Sequence, residues 1–282
     1  MILRISQVLE EAKVKLEAAG KSDYLVDAEW LMCEVTGLTR TMLSLDGQGC
    51  LDNEAYHKFD LMLNKRLKGM PLQYILGKQS FYDYEFYVND HVLIPRFETE
   101  ELVERGVDWA KKKNAQTFID MCTGSGCIGL TLLKECEEMT GTLVDLSSEA
   151  LKVADKNRKA LGLDHRAQIV QSDLFTHIED REVDMILSNP PYIETEVIDG
   201  LSVEVKGAEP YMALDGGDDG LMFYRKITHE AKEYLKEGGL LIYEIGYNQM
   251  DAVKKIFEEE GYSNIEGFQD LSGKDRIVLA TR

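Results

Sequence analysis

The chain has 282 residues, with 32 lysines and arginines against 51 aspartates and glutamates, a formal net charge of −19. That length suits one large domain plus a small one. The charge repels phosphate backbones at long range, which argues against non-specific nucleic-acid binding. No run approaches the roughly 18 consecutive apolar residues of a membrane span, and Met1-Ile2-Leu3-Arg4 lacks the layout of a signal peptide, so the cytoplasm is the expected compartment.

Cys33, Cys50, Cys122, Cys127 and Cys136 are scattered, without a CxxC pair or a nearby histidine to complete a zinc set. Reduced thiols and no metal site are expected. Residues 1–75 hold 9 basic and 11 acidic side chains, and residues 76–282 hold 23 and 40, so the acidity lies mostly in the second part.

Residues 1–70 read as helices. Ile5, Val8, Leu9, Ala12 and Leu16 recur at helical spacing up to Gly20. Ser22 or Asp23 is placed to cap a second helix bearing Leu25, Ala28, Leu31, Met32 and Val35, stopped at Gly37. A helical turn at 39–45, a break at 47–49 and a helix capped by Asp52 complete a small bundle. It carries no catalytic constellation, so it is either a packing appendage or a docking module. Gly69-Met70-Pro71 marks a boundary. Residues 81–92 alternate aromatic and polar side chains, the pattern of a β-hairpin turned near Asp83 or Asn89-Asp90. Residues 94–100 then lead into a helix with Thr99 at the capping position.

From Gln116 onward strands and helices alternate, which predicts a parallel sheet of βαβ units. Strands are expected at 117–121, 142–145, 168–171, 183–188 and 240–245, and helices at 127–137, 149–161, 220–235 and 248–260. Residues 265–268 and 276–280 are expected to close the sheet as an antiparallel pair. The 193–220 connection is too long for a plain loop and reads as functional, a lid holding Glu209-Pro210-Tyr211 and Leu214-Asp215-Gly216-Gly217.

Gly124-Ser125-Gly126-Cys127-Ile128-Gly129 fits G-x-G-x-x-G between a strand and a helix, with Asp145 at the end of the next strand. The motif fits a dinucleotide, its acid binding ribose hydroxyls. It fits S-adenosylmethionine equally, with Asp120 toward the methionine amino group and Cys122, Thr123, Gly124, Ser125 and Gly126 forming the loop. Asp145 would then take the ribose and Asp173 the adenine amino group, between the apolar walls Leu174 and Phe175.

What separates the two is Ser188-Asn189-Pro190-Pro191-Tyr192 after the apolar strand 183–187. Both prolines lack an N–H and push the preceding residue toward extended geometry. The result is a rigid ledge offering the Asn189 side-chain carbonyl and backbone carbonyls to a planar –NH2, with Tyr192 over its flat face. A hydride-transfer enzyme has no use for such a ledge. A strand-terminating turn with a capping asparagine is the plainer alternative.

With these motifs the chain resembles the class I methyltransferases, and more closely the release-factor glutamine N5-methyltransferases (the PrmC or HemK family). Further segments carry the resemblance in order: residues 71–77, 94–100, 120–126, 172–175, 214–221, 243–246 and 273–276. It implies a helical bundle at 1–75 that docks the release factor, a hairpin linker at 76–95, and a Rossmann-like domain at 96–282. That domain would hold a mostly parallel seven-stranded sheet with a terminal antiparallel strand. It implies S-adenosylmethionine as cofactor and the glutamine of a Gly-Gly-Gln loop as substrate. Asn189 and Pro190 would hold the amide hydrogens, Pro191 and Tyr192 the amide plane, and Asn189 would also border the cofactor. Phe97 stands where a second proline is usual, and Cys122 where a glycine is usual. Adenine N6-methyltransferases share Asn-Pro-Pro-Tyr, so DNA or RNA methylation is the rival reading; the charge and the lack of a basic stripe oppose it.

Overall fold

The computed structural model describes residues 3–45, 49–179 and 181–282. Met1, Ile2 and most of the break expected at 47–49 lie outside them. The chain divides into two compact units, Met1–Gly77 with Val203–Ala208, and Lys78–Ser202 with Glu209–Arg282. Among the described residues no helix is long and apolar enough to cross a membrane.

The first unit runs β1 (Leu3–Arg4), α1 (Ile5–Ala18), α2 (Tyr24–Thr36), α3 (Arg40–Leu45), β2 (Cys50–Leu51), α4 (Asn53–Leu67) and α5 (Leu72–Leu76). The apolar stripes of α1, α2 and α4 meet in one core that includes Ala12, Leu16, Leu31, Met32 and Phe59. Asp52 caps α4 as expected, accepting from the Ala55 N–H at 2.8 Å. Asp23 makes no such bond to α2; its carboxylate instead accepts from the Ser22 hydroxyl. Two features are not written in the helical pattern: the short pairing of Leu3 with Leu51, and the inclusion of residues 203–208. The latter are held by Glu204, which accepts from Arg66 and Lys21, each at 2.8 Å, while buried Arg66 also pairs with buried Asp27 at 2.6 Å.

The second unit begins with a hairpin of β3 (Lys78–Phe81) and β4 (Tyr84–Tyr87), turned at Tyr82-Asp83. The strands start three residues earlier than the aromatic alternation implied, and the stretch after Tyr87 is not strand. There follow α6 (Glu100–Lys113), β5 (Thr117–Met121), α7 (Cys127–Glu135), β6 (Thr140–Asp145), α8 (Ser148–Ala160), β7 (Ala167–Gln171) and β8 (Val183–Ser188). After the short turn α9 (Thr195–Ile198), and α10 (Val203–Lys206), which belongs to the first unit, come α11 (Met222–Ala231), β9 (Leu235–Glu244), α12 (Met250–Glu259), β10 (Ser263–Gln269) and β11 (Asp275–Thr281). β9 starts well before residue 240 because Leu235 already pairs with Val183, and a register shift between Val183 and Met185 takes up the extra residues.

The seven strands are ordered β10-β11-β9-β8-β5-β6-β7, and β11 alone runs antiparallel to the other six. This is the expected Rossmann-like sheet. Neighbouring residues of β5 go to opposite cores: Phe118 joins α6 and α7, whereas Ile119 joins α11 and α12. From β5 the chain winds outward through β6 and β7, then returns to β8 on the other side of β5. That reversal opens a crevice at the carboxyl ends of these strands, where open α/β sheets bind ligands.

Candidate active site

A cavity occupies this crevice. Its walls include Cys122, Thr123, Gly124 and Ser125 after β5, Asp145 at the end of β6, Asp173 and Leu174 after β7, and Asn189 and Pro191 after β8. The glycine loop is held from below by Asp120, whose Oδ2 accepts from the Thr123 hydroxyl at 2.5 Å and from the Gly129 N–H at 2.9 Å. A Cβ on Gly129 would stand 2.9 Å from that oxygen, so the third glycine of the motif lets α7 sit on the strand. Asp120 is fully buried, and burial pushes its pKa up to about 7. Through Oδ2 it supports the loop, while Oδ1 is buried with no hydrogen-bond partner among the described residues; Asp120 is not part of the cavity lining.

Cys122 adopts φ 61°, the left-handed region that favours glycine. The loop therefore keeps the backbone of a glycine-bearing motif despite the substitution. Burial pushes the Cys122 thiol well up, so it is no nucleophile. Asp145 accepts from the Gly124 N–H through Oδ2 and from the Ser147 N–H through Oδ1, each at 2.9 Å. Burial raises its pKa against these bonds. Asp173 reaches the cavity as expected, next to Leu174 in a left-handed conformation at φ 48°. Phe175 does not: its ring packs on Tyr234, with centroids 4.4 Å apart, behind the wall. Gly126 caps α7 and is likewise behind the wall.

At the ledge, Asn189 Nδ2 donates to Thr99 Oγ1 at 3.4 Å. Among the described residues nothing donates to Asn189 Oδ1 or to the Pro190 carbonyl. Asn189 and Pro191 line this cavity, whereas Pro190 and Tyr192 of the same ledge do not. Burial raises the Tyr192 hydroxyl's pKa, with Glu244 adding to it. The Tyr192 carbonyl accepts from Gln249 Nε2 at 3.0 Å. A Cβ on Gly216 would stand 2.7 Å from Tyr192 Cα, so the 193–220 segment packs directly on the ledge backbone. Pro210, Met212 and Ala213 of the same segment line the cavity.

Two models of known families match the chain: the PrmC N-terminal domain at residues 7–77 and the methyltransferase small domain at residues 107–205. A release factor glutamine methyltransferase from Clostridium acetobutylicum is 37% identical, over 99% of both chains. One from Caulobacter vibrioides is 38% identical, over 100% of this chain and 98% of that one. The chain belongs to the release factor glutamine methyltransferase family. A solved human methyltransferase 10 domain containing protein shares the fold, with a TM-score of 0.51 and 15% identity over 71% of this chain and 88% of that one.

As a member of this family the chain is a methyltransferase, and S-adenosylmethionine is its methyl donor. The residues present fit the donor. Each Asp145 oxygen takes one backbone N–H and keeps a further acceptor position, which suits the paired hydroxyls of a ribose. Leu174 and Ile128 offer apolar wall, and Asp173 an acceptor for an amino group.

Several residues of this methyltransferase site were not picked out from the sequence. Asn157 of α8 is buried and binds three backbone groups, the Tyr87 N–H and carbonyl and the Ser125 carbonyl, clamping the hairpin to the glycine loop. Arg96 pairs with buried Glu209 at 2.7 Å, tying the strip before α6 to the 193–220 segment. Thr99, read as a helix cap, already has helical φ and ψ; its hydroxyl donates to Glu244 Oε2 at 2.5 Å. Phe97 beside it is largely exposed. Glu244 leaves a signal as a lone acid within the apolar run 240–245, and Arg96, Phe97 and Thr99 lie in the 94–100 segment that carries the resemblance, whereas Asn157 leaves none.

Proposed function

We propose that the enzyme methylates the side-chain amide nitrogen (N5) of the glutamine in the Gly-Gly-Gln loop of peptide chain release factors, in the cytoplasm where these factors act. The reading is carried by Asn189, which borders the donor cavity with Oδ1 uncommitted next to the uncommitted Pro190 carbonyl. An amide nitrogen is a poor nucleophile because its lone pair is delocalised into the carbonyl. Asn189 Oδ1 and the Pro190 carbonyl each accept one amide hydrogen. That favours pyramidalisation and directs the lone pair toward the methyl group. S-adenosylmethionine supplies that methyl on a positively charged sulfur. As the N–C bond forms the S–C bond breaks, its electron pair stays on sulfur, and the nitrogen loses a proton to water. Orientation and preorganised dipoles carry such a step, up to roughly 7–11 kcal/mol from orientation alone.

A lone glutamine offers few contacts for selectivity, so the helical unit is assigned to docking the release factor. A short Gly-Gly-Gln peptide methylated as efficiently as the whole factor removes that assignment. Asn189→Ala is expected to lower transfer from labelled S-adenosylmethionine by roughly a thousandfold or more while weakening donor binding only a few-fold, since it removes the substrate's acceptor but only the edge of the donor cavity. Near-normal turnover in this variant refutes the reading.

A further inference from the structure

Glu244 is a buried carboxylate, 2% exposed, that makes no ion pair with any described residue. Its side-chain hydrogen bond is with the Thr99 hydroxyl, itself 2% exposed. An isolated buried carboxylate is costly, and the methyl-transfer chemistry above does not use it directly. A threonine hydroxyl has one proton. That proton points to Glu244 Oε2 at 2.5 Å, so toward Asn189 the hydroxyl can only accept, and it meets Nδ2 at 3.4 Å. The carboxamide is thereby oriented with its NH2 toward Thr99 and Oδ1 on the opposite side.

We infer that Thr99 and Glu244 are positioning residues for methyl transfer: the carboxylate orients the Thr99 hydroxyl, and the hydroxyl holds Asn189 with Oδ1 free to accept the substrate amide hydrogen. This rests on the function proposed above. The relay is directional. A protonated Glu244 donates to Thr99, the Thr99 proton turns to Asn189, and the carboxamide flips to offer NH2 where an acceptor is needed. Burial pushes the Glu244 pKa up to about 7, against the Thr99 hydrogen bond and the nearby Arg276, so the reversal falls in an accessible range. The other groups facing Glu244 are Arg96 and Glu98 before α6, Tyr192 on the ledge, Tyr224 on α11, and Cys127 at the start of α7; Asp270 reaches it through Arg276.

The test is methyl transfer to an intact release factor, followed from pH 5.5 to 8.5, with donor affinity measured by calorimetry. Thr99→Val is expected to lower kcat by roughly 10–100-fold, the scale of a small misplacement near the reacting atoms, with donor Kd unchanged. Thr99→Ser should restore it. Wild-type kcat should fall as pH drops through about 7, and Glu244→Gln should lack that limb while keeping the other charged neighbours. Thr99→Val within twofold of wild type overturns the relay, as does a Thr99→Ser variant no better than valine, or a limb that persists in Glu244→Gln. Wild-type enzyme that transfers nothing to the release factor overturns the functional reading and the relay together, so the two failures are distinguishable.

Discussion

The two halves of the active site are built differently. On the β6 side, Asp145 is set by backbone N–H groups, that of Gly124 in the glycine loop 21 positions away and that of Ser147 two positions on. On the β8 side, Asn189 is set by side chains from distant segments: Thr99 before α6, Glu244 at the end of β9, and, through the Tyr192 carbonyl, Gln249 before α12. A donor shared by many methyltransferases is met by a motif with local supports. Asn189, proposed to hold the acceptor, is met by an assembly that exists only after folding. Backbone supports survive side-chain substitution, whereas a side-chain relay fails with any one member.

That difference is testable in order of expected effect. Asn189→Ala, described above, is the largest and should act on turnover. Asp145→Ala is its counterpart and should act on affinity. A hydrogen bond to a charged group is worth about 1.5–3 kcal/mol, so each one lost should raise donor Kd by roughly 10–150-fold in calorimetry, with a smaller change in kcat at saturating donor. Equal losses in kcat and Kd for both variants would erase the distinction. Gly216→Ala comes next. Its Cβ would stand 2.7 Å from Tyr192 Cα, so the ledge must shift, costing about 1–3 kcal/mol of stability. Turnover should fall roughly tenfold while donor affinity holds; an unchanged kcat would show that the ledge tolerates displacement. Cys122→Gly should be smallest. It relieves a left-handed residue on the donor side, and glycine's extra unfolded-state freedom offsets part of the gain. An increase of about 1 kcal/mol or less in unfolding free energy is expected, with kcat unchanged; a marked loss of stability would mean the thiol packing outweighs the strain.

Much of this was legible in the chain. Period-two and buried apolar runs gave the strands, caps and glycines their approximate ends, and the Asp145 and Asp173 placements follow from strand order. The readings that failed share one cause. Thr99 and Asp23 have the residue type and position of caps, but Thr99 has a buried carboxylate to bond and Asp23 a neighbouring serine. Phe175 reads as a ligand wall, but Tyr234, far along the chain, takes its face. The strand expected at 240–245 begins at Leu235, because Leu235 already pairs with Val183. Residues 203–208 read as part of a loop, yet Arg66 and Lys21 hold Glu204 in the helical unit.

By itself, then, the sequence determined the order of strands and helices, the glycine loop and its acids, and a proline-stiffened ledge after β8. These rest on periodicity, backbone conformational limits and short-range spacing, which act within a few residues. The tertiary structure decided which groups line the cavity, which way the Asn189 carboxamide turns, and that a buried glutamate stands behind it. Those depend on contacts across as many as 145 positions of chain, where a hydroxyl takes the partner that folding brings to it.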